Sequence, residues 1–383
     1  MNNLKILMVA GEASGDRHGA DLIQNLSRTF PGLKVAGIGG DRMAGRGAEI
    51  FFHIRDTAVV GLVEILGSVG FFYGLYKRML REIDAGGYDA VVLIDYPTLN
   101  LRLAARAKKR GVPVFYYISP QVWAWHGSRV KKLAQTVTKM LVILPFEEKI
   151  YRDAGLPCAF VGHPFLDIVK PDVSREKFCE KHGLDPARKI VGLLPGSRNN
   201  EINSLLSVIL QSAVIIKKEI PGIQFVLPLA PTISRDRVAP FLKSAPVQAD
   251  LVEGETFDAM NAADALIIAS GSATLEAGLI GTPMVIVYKV SPLTYFLGKR
   301  LVKVQYIGLV NIVAGKAVAP ELIQHEANPE RTADLTLEYL RDEEKNFRTR
   351  EELKRLRESL GESGASRRAA GEIAERLKKR KGN

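Results

Sequence analysis

Two cysteines, two tryptophans and only 7% aromatic residues in 383 leave little room for several kinds of protein. Cys158 and Cys179 stand in no ligand-like spacing with the six histidines. That excludes a disulfide scaffold or zinc module and leaves both thiols free in a reducing compartment. No apolar run reaches the roughly 20 residues that a bilayer-spanning helix needs. The N-terminus lacks a basic region, an apolar core and a small-residue cleavage site, so residues 4–9 read as a first strand rather than a leader. Finger spacing, an RNP-like aromatic box and a recognition helix are also missing, so nucleic acid is not an expected partner.

Basic charge, by contrast, is in excess. The net charge of +11 calls for a partner of opposite sign. With nucleic acid set aside, an anionic membrane surface is the candidate, provided that something apolar accompanies the charge. Part of the excess lies in the terminal ERLKKRKGN, a run that also fits a solvated face.

The chain's length and its 46% apolar content suit two packed domains. Short runs such as LKILMVA, LKVAGIG, DAVVLID and PVFYYI alternate with amphipathic stretches such as DLIQNLSRTF and LNLRLAARAKKRG. Strands continuous in Val, Ile and Leu, separated by helices, form parallel sheets covered on both faces. The pattern restarts near residue 190, after the proline-containing VGHPFLDIVKPD. The expected fold is α/β, with two Rossmann-like doubly wound parallel-sheet domains facing a cleft. Their bounds read as 1–164 and 165–345. A basic helical tail over 346–383 then packs on the first domain or on a second subunit, an arrangement that allows a homodimer.

Two loops of the second half suit anions. LLPGSRNNEI runs from a strand through Gly196, Ser197 and Arg198 into a helix, and ASGSATLEAG does so through Ser270, Gly271 and Ser272. Small residues there let backbone N–H groups at a helix N-terminus approach phosphate oxygens. Arg198 adds a permanent cation that can fork onto a diphosphate. Glu276, one turn after Ser272, can accept from ribose hydroxyls or simply complement the helix dipole. Asn311, between apolar neighbours, contacts the base or a phosphate, or else stabilises its own loop.

In the first half, Asp95 ends the strand DAVVLID just before Tyr96-Pro97. A carboxylate at the C-terminal tip of a central parallel strand is where a general base for an acceptor hydroxyl would sit; a turn-forming Asp before proline is the plainer alternative. The loop GEASGD carries Gly11, Glu12, Ser14, Gly15 and Asp16 after the first strand. Its two acids make it a poor phosphate cradle but a good surface for sugar hydroxyls, although Ser14 or Asp16 would also cap the helix that follows. Residues 59–80, VVGLVEILGSVGFFYGLYKRML, lack a polar face and end in basic residues. Val63, Ile65, Leu66, Val69, Phe72 and Tyr73 are its candidate acyl or membrane contacts, with core packing as the alternative. SPQVWAWHGSRVKKL, 119–133, lines an acyl or phosphate pocket or packs its tryptophans in the core.

The ordered set GEASGD, VVGLVEILG, Asp95-Tyr-Pro-x-x-Asn, SPQVWAW, LPFE, VGHP, LPGSR and ASGSATLE resembles the lipid A disaccharide synthase family from Leu4 to about Gln324. The resemblance implies the GT-B architecture and an inverting transfer of 2,3-diacylglucosamine. The donor would be UDP-2,3-diacylglucosamine and the acceptor 2,3-diacylglucosamine 1-phosphate, called lipid X. It implies Asp95 as the essential acid group, Arg198, Glu276 and Asn311 in the UDP-sugar pocket, an apolar membrane patch within 62–73, and no cofactor or metal. The location it implies is cytoplasmic, peripheral on the inner membrane. Many relatives carry a second acid in this segment where Thr98 stands here, which puts more weight on Asp95. Alternatives on the same fold are a UDP-N-acetylglucosamine 2-epimerase-like enzyme or a membrane-associated nucleotide-sugar binder without catalysis.

Overall fold

The computed structural model describes residues 4–58, 65–120, 127–291, 295 and 305–381. Two compact units share the chain: residues 1–164 with 360–383, and residues 165–359.

The first unit is built on a seven-stranded parallel sheet. Its strands are β1 (Lys5–Ala10), β2 (Lys34–Gly39), β3 (Glu49–His53), β4 (Ala90–Ile94), β5 (Val114–Tyr117), β6 (Lys139–Val142) and β7 (Cys158–Phe160). They lie in the order β3-β2-β1-β4-β5-β6-β7, so the direction of winding reverses between β1 and β4. Those two strands pair in register from Ile6↔Ala90 to Ala10↔Ile94, which sets the loops after Ala10 and Ile94 side by side.

Because successive strand residues point to opposite faces, the sheet feeds two cores. Leu7, Val9, Val91 and Leu93 pack with Leu75, Met79 and Ile83 of the helix Ile65–Ala85. Ile6, Met8, Val92 and Ile94 pack with Leu22, Ile23 and Leu26 of the helix Ala13–Thr29, and with Ala370, Ile373 and Leu377 near the end of the chain. Each such side chain, taken fully out of water, contributes about 1.5–3 kcal/mol.

The second unit holds six parallel strands: β8 (Ile190–Leu194), β9 (Gln224–Leu229), β10 (Asp250–Glu253), β11 (Ala265–Ala269), β12 (Met284–Tyr288) and β13 (Glu321–Ile323). Their order is β10-β9-β8-β11-β12-β13, with the reversal between β8 and β11. Val191, Leu193, Ile267 and Val285 pack on Ile202, Leu206 and Ile209 of the helix Asn199–Glu219.

Residues 346–383 do not behave as one tail. The helix Glu343–Ser359 packs on the helix Ser272–Ile280 of the second unit. There Arg350 and Arg357 donate to the C-terminal carbonyls of Gly281 and Leu279, at 3.0 and 2.7 Å, where cations complement the dipole. The chain returns to the first unit at Leu360, and the helix Ala365–Lys381 lies against Ala13–Thr29.

Candidate active site

In doubly wound sheets, ligands collect beyond the strand C-termini where the winding reverses. Both loop pairs singled out from the sequence stand at such points. Gly11–Asp16 and Asp95–Tyr96 follow β1 and β4, while Gly196–Arg198 and Ser270–Ser272 follow β8 and β11.

Asp95 sits in strained backbone. It and Tyr96 both have φ of +45°, and Ile118, at the end of the adjacent β5, has φ of +63°. Non-glycine residues in this region cost about 1–3 kcal/mol each and persist only where the surroundings over-determine them. The Asp95 carboxyl is pushed up to about 6, first by burial and then by the nearby negative charge of Glu12. A base of this strength is poised to exchange protons near neutrality. Tyr96 lies across the neighbouring loop: a Cβ on Gly11 would fall 2.3 Å from Cγ of its ring. Gly11 is therefore a spacer that lets the two loops touch, and Glu12 is the acid whose charge acts on Asp95.

The rest of the GEASGD loop divides by role. Glu12 and Ser14 are exposed and free to meet a ligand. Gly15 is buried, with room for a Cβ only 3.2 Å from that of Ala10, which lets the helix begin at Ala13 close against β1 rather than near Asp21. Asp16 is buried, and its oxygens accept from the N–H groups of Gly40, Arg42 and Met43 at 2.7, 3.1 and 3.1 Å. It holds the start of the short helix Asp41–Ala44 from within the core, so its bonds go to the main chain rather than to the acceptor-lining role read from the sequence.

The second unit also redistributes its expected roles. Gly196 has φ of +113°, and a Cβ there would meet the Glu201 carboxylate at 2.2 Å. That carboxylate accepts from the N–H groups of Ser197 and Arg198 at 2.8 and 3.1 Å and pairs with the Arg198 guanidinium at 2.8 Å. The reciprocal cap takes the two amides that the sequence reading gave to phosphate. What this loop keeps available is the Arg198 side chain, 78% exposed and with further N–H donors, beside the exposed Ser197.

In the other loop, Ser270 Oγ donates to the Ile307 carbonyl at 3.0 Å. Gly271 and Ser272 are exposed and open the helix Ser272–Ile280, where Thr274 N–H turns back to Gly271 O at 3.2 Å and the amides of Ser272 and Ala273 precede the helix's own bonding. Glu276, half-buried and with no partner among the described residues, has its carboxyl pushed up by burial. Asn311 is fully buried. Its amide donates to Ala319 O and Glu321 Oε1 at 2.7 and 2.8 Å and accepts from the N–H groups of Val318 and Ala319 at 2.8 and 2.9 Å. All its hydrogen-bonding capacity is used in shaping the loop, so the direct contact with base or phosphate is replaced by a supporting role.

Of the apolar stretch, Val63 lies outside the described residues, as do 121–126 and nearly all of 292–303. Ile65, Leu66 and Val69 belong to the helix Ile65–Ala85. Phe72 is half-buried, stacked edge-on with Phe71 at 5.6 Å between centroids. Tyr73 is 57% exposed, with the Lys77 ammonium 4.5 Å over its ring. Among the described residues no helix is long and apolar enough to cross a membrane.

Sequence reasoning gave no role to Asn100 and Tyr116, which both bond the main chain of Asp95. The spacing Asp95-Tyr-Pro-x-x-Asn held the signal for Asn100, whereas nothing in the chain order ties Tyr116 to it.

A family model described as lipid-A-disaccharide synthetase matches residues 6–375. The lipid-A-disaccharide synthase of Geobacter metallireducens is 47% identical over 379 residues, covering 99% of each chain. Among solved structures, UDP-GlcNAc 2-epimerase from Neisseria meningitidis bound to UDP-GlcNAc superposes with a TM-score of 0.61 at 12% identity, over 98% of this chain and 100% of that one. The calicheamicin glycosyltransferase gives 0.59 at 16% identity, over 99% of both. At such identities these two speak for a shared GT-B architecture, while the match along residues 6–375 and the 47% identity speak for descent. The chain belongs to the lipid-A-disaccharide synthetase family.

Proposed function

We propose that this chain is an inverting glycosyltransferase of lipid A biosynthesis. It transfers 2,3-diacylglucosamine from UDP-2,3-diacylglucosamine to the 6-hydroxyl of 2,3-diacylglucosamine 1-phosphate, giving the β-1,6-linked disaccharide 1-phosphate and UDP. The observation that carries the chemistry is the carboxyl of Asp95, held at about 6 where the winding of its sheet reverses. It takes the proton of the acceptor hydroxyl as that oxygen bonds to the donor's anomeric carbon, opposite the breaking bond to UDP. One displacement inverts the configuration, so no covalent enzyme intermediate forms. Arg198 and the amides of Ser272 and Ala273 at the start of their helix stabilise the charge that gathers on the departing diphosphate. Glu276, whose partly buried carboxylate has no donor among the described residues, receives the ribose hydroxyls. Glu12 and Ser14 face the acceptor sugar. The acyl chains lodge along the apolar stretch around Phe72 and Tyr73, at the surface of the inner membrane.

The test is a detergent-micelle assay with both acylated substrates, reading disaccharide and UDP by mass spectrometry. Stoichiometric disaccharide and UDP from the wild type, formed about 10³-fold more slowly by Asp95→Asn, supports the reading. An isomerised UDP-sugar with no disaccharide would instead establish the epimerase activity carried by neighbours of the same fold.

A further inference from the structure

We infer that Asn100 and Tyr116 are positioning residues, which aim the Asp95 carboxylate by clamping its main-chain carbonyl. The inference rests on the reading of Asp95 as the base. The Asp95 carbonyl accepts from Asn100 Nδ2 at 2.7 Å and from Tyr116 Oη at 2.5 Å, so both of its lone pairs are engaged. On the other side of the residue, the Asp95 N–H donates to Tyr117 O at 3.2 Å. The main chain is thus gripped before and after a residue whose φ of +45° would otherwise relax. Relaxation to an extended φ rotates the Cα–Cβ bond and turns the carboxylate away from the end of β4.

Asn100 also accepts a penalty that a purely structural residue would avoid. It is fully buried, its Nδ2 is shared between the carbonyls of Ile94 and Asp95, and its Oδ1 has no hydrogen-bond partner among the described residues. Flipping the amide would set Oδ1 against those two carbonyls, so the orientation is fixed. A buried unpaired acceptor calls for an explanation. Delivery of the amide donor to Asp95 provides one, because an apolar residue in this first helical turn would leave no unpaired atom. Tyr116 is likewise fully buried, at the C-terminal half of β5, and its hydroxyl reaches across to β4 for this bond. Ile118, two residues on, shares the left-handed strain, so three of the four non-glycine residues with positive φ among those described cluster here.

The test uses the full-length protein in the micelle assay. Tyr116→Phe, Asn100→Asp and Asp95→Asn are made singly, and Asp95→Asn is also combined with Tyr116→Phe. Folded fraction is followed by circular dichroism, and UDP binding by calorimetry. Tyr116→Phe removes only the hydroxyl, and Asn100→Asp keeps the shape while replacing the donor with an acceptor. Each should lower kcat about 10- to 100-fold per folded molecule, with UDP affinity within twofold of wild type and a displaced acid limb of the kcat/KM profile. The combined variant should be no slower than Asp95→Asn alone, because the clamp acts only through that carboxylate. Wild-type kcat in both clamp variants, beside a strongly slowed Asp95→Asn, would overturn the clamp and leave the base assignment standing. Loss of kcat in Tyr116→Phe that multiplies fully with that of Asp95→Asn would also overturn it. Full activity in Asp95→Asn would overturn the base assignment itself, and the clamp with it.

Discussion

The two units share a winding scheme and divide the molecule's properties unevenly. The whole excess of +11 falls in the first unit, while the charges of the second sum to zero. They also shape their loops differently. The first holds Asp95 and Tyr96 in left-handed backbone against their preference, whereas in the two loops of the second the positive-φ positions are glycines, Gly196 and Gly271, which adopt them without penalty. A loop that need only bend takes glycine. A loop that must present a carboxylate has no glycine option, so its strain is met by hydrogen bonds from its neighbours. The basic excess lies on the unit that also exposes Tyr73 and Lys77, which puts attraction to anionic lipid and the apolar contact on the same body.

The sharpest way to break this division is to remove one reactive group from each unit. Asp95→Asn should lower kcat about 10³-fold with UDP affinity unchanged, the middle of the range for loss of a general base. Arg198→Ala should weaken UDP binding by about 10- to 100-fold, as loss of a charge-assisted contact does. If either variant moved both quantities alike, the split would fail. Calorimetric titration with UDP beside steady-state rates decides it.

Next in size is Ile373→Ala. This side chain is fully buried in the face of the first sheet that carries Leu22 and Ile23. It should cost about 2–4 kcal/mol. Hydrogen exchange should quicken in β1 and β4 and leave β8 and β11 unaltered, whereas equal quickening in both would mean that the units unfold together.

Acid should act on the first unit in the same way. Burial lowers His18 to about 4, with Arg17 adding to the effect, and lowers His163 to about 3, with His18 adding there. Below pH 6.5 the unfolded chain takes up protons that these folded imidazoles refuse, so stability falls as pH drops toward 4. Asp95 opposes this between about 6 and 4, because its raised carboxyl is protonated in the folded state while the unfolded one is still ionised. Two imidazoles outweigh one partly exposed carboxyl, for a net loss of about 2 kcal/mol at pH 5 relative to pH 7. Denaturant midpoints at the two pH values measure it, and an increase in stability at pH 5 would reverse the sign argued here. The smallest effect is expected from Tyr73→Ser, which should reduce retention on anionic vesicles about threefold to tenfold in sedimentation.

Much of this was legible in the sequence because parallel strands buried on both faces must be apolar throughout. DAVVLID and KIVGLLPG therefore announced both β4 and β8 and the loops beyond them. What escaped were bonds between residues distant in sequence or spent locally. Asp16 has the composition of a ligand-facing acid, and only the fold brings Gly40 to it. Glu201 reads as a first-turn helix acid, and only its reach back to Ser197 shows that it occupies the amides that seemed free. Asn311 looked exceptional for being polar among apolar neighbours, which marks burial but not what satisfies it. The amphipathic pattern of 365–381 does not say which sheet it covers.

That last helix has a consequence for how the protein is made. The first unit begins with β1 yet lacks the cover of Ile373 and Leu377 until residues 360–381 leave the ribosome, whereas the second unit is complete at Ser359. Residues 165–359 can therefore close their core while one face of the earlier-made sheet still lacks part of its cover. The half that is synthesised first is the half that matures last.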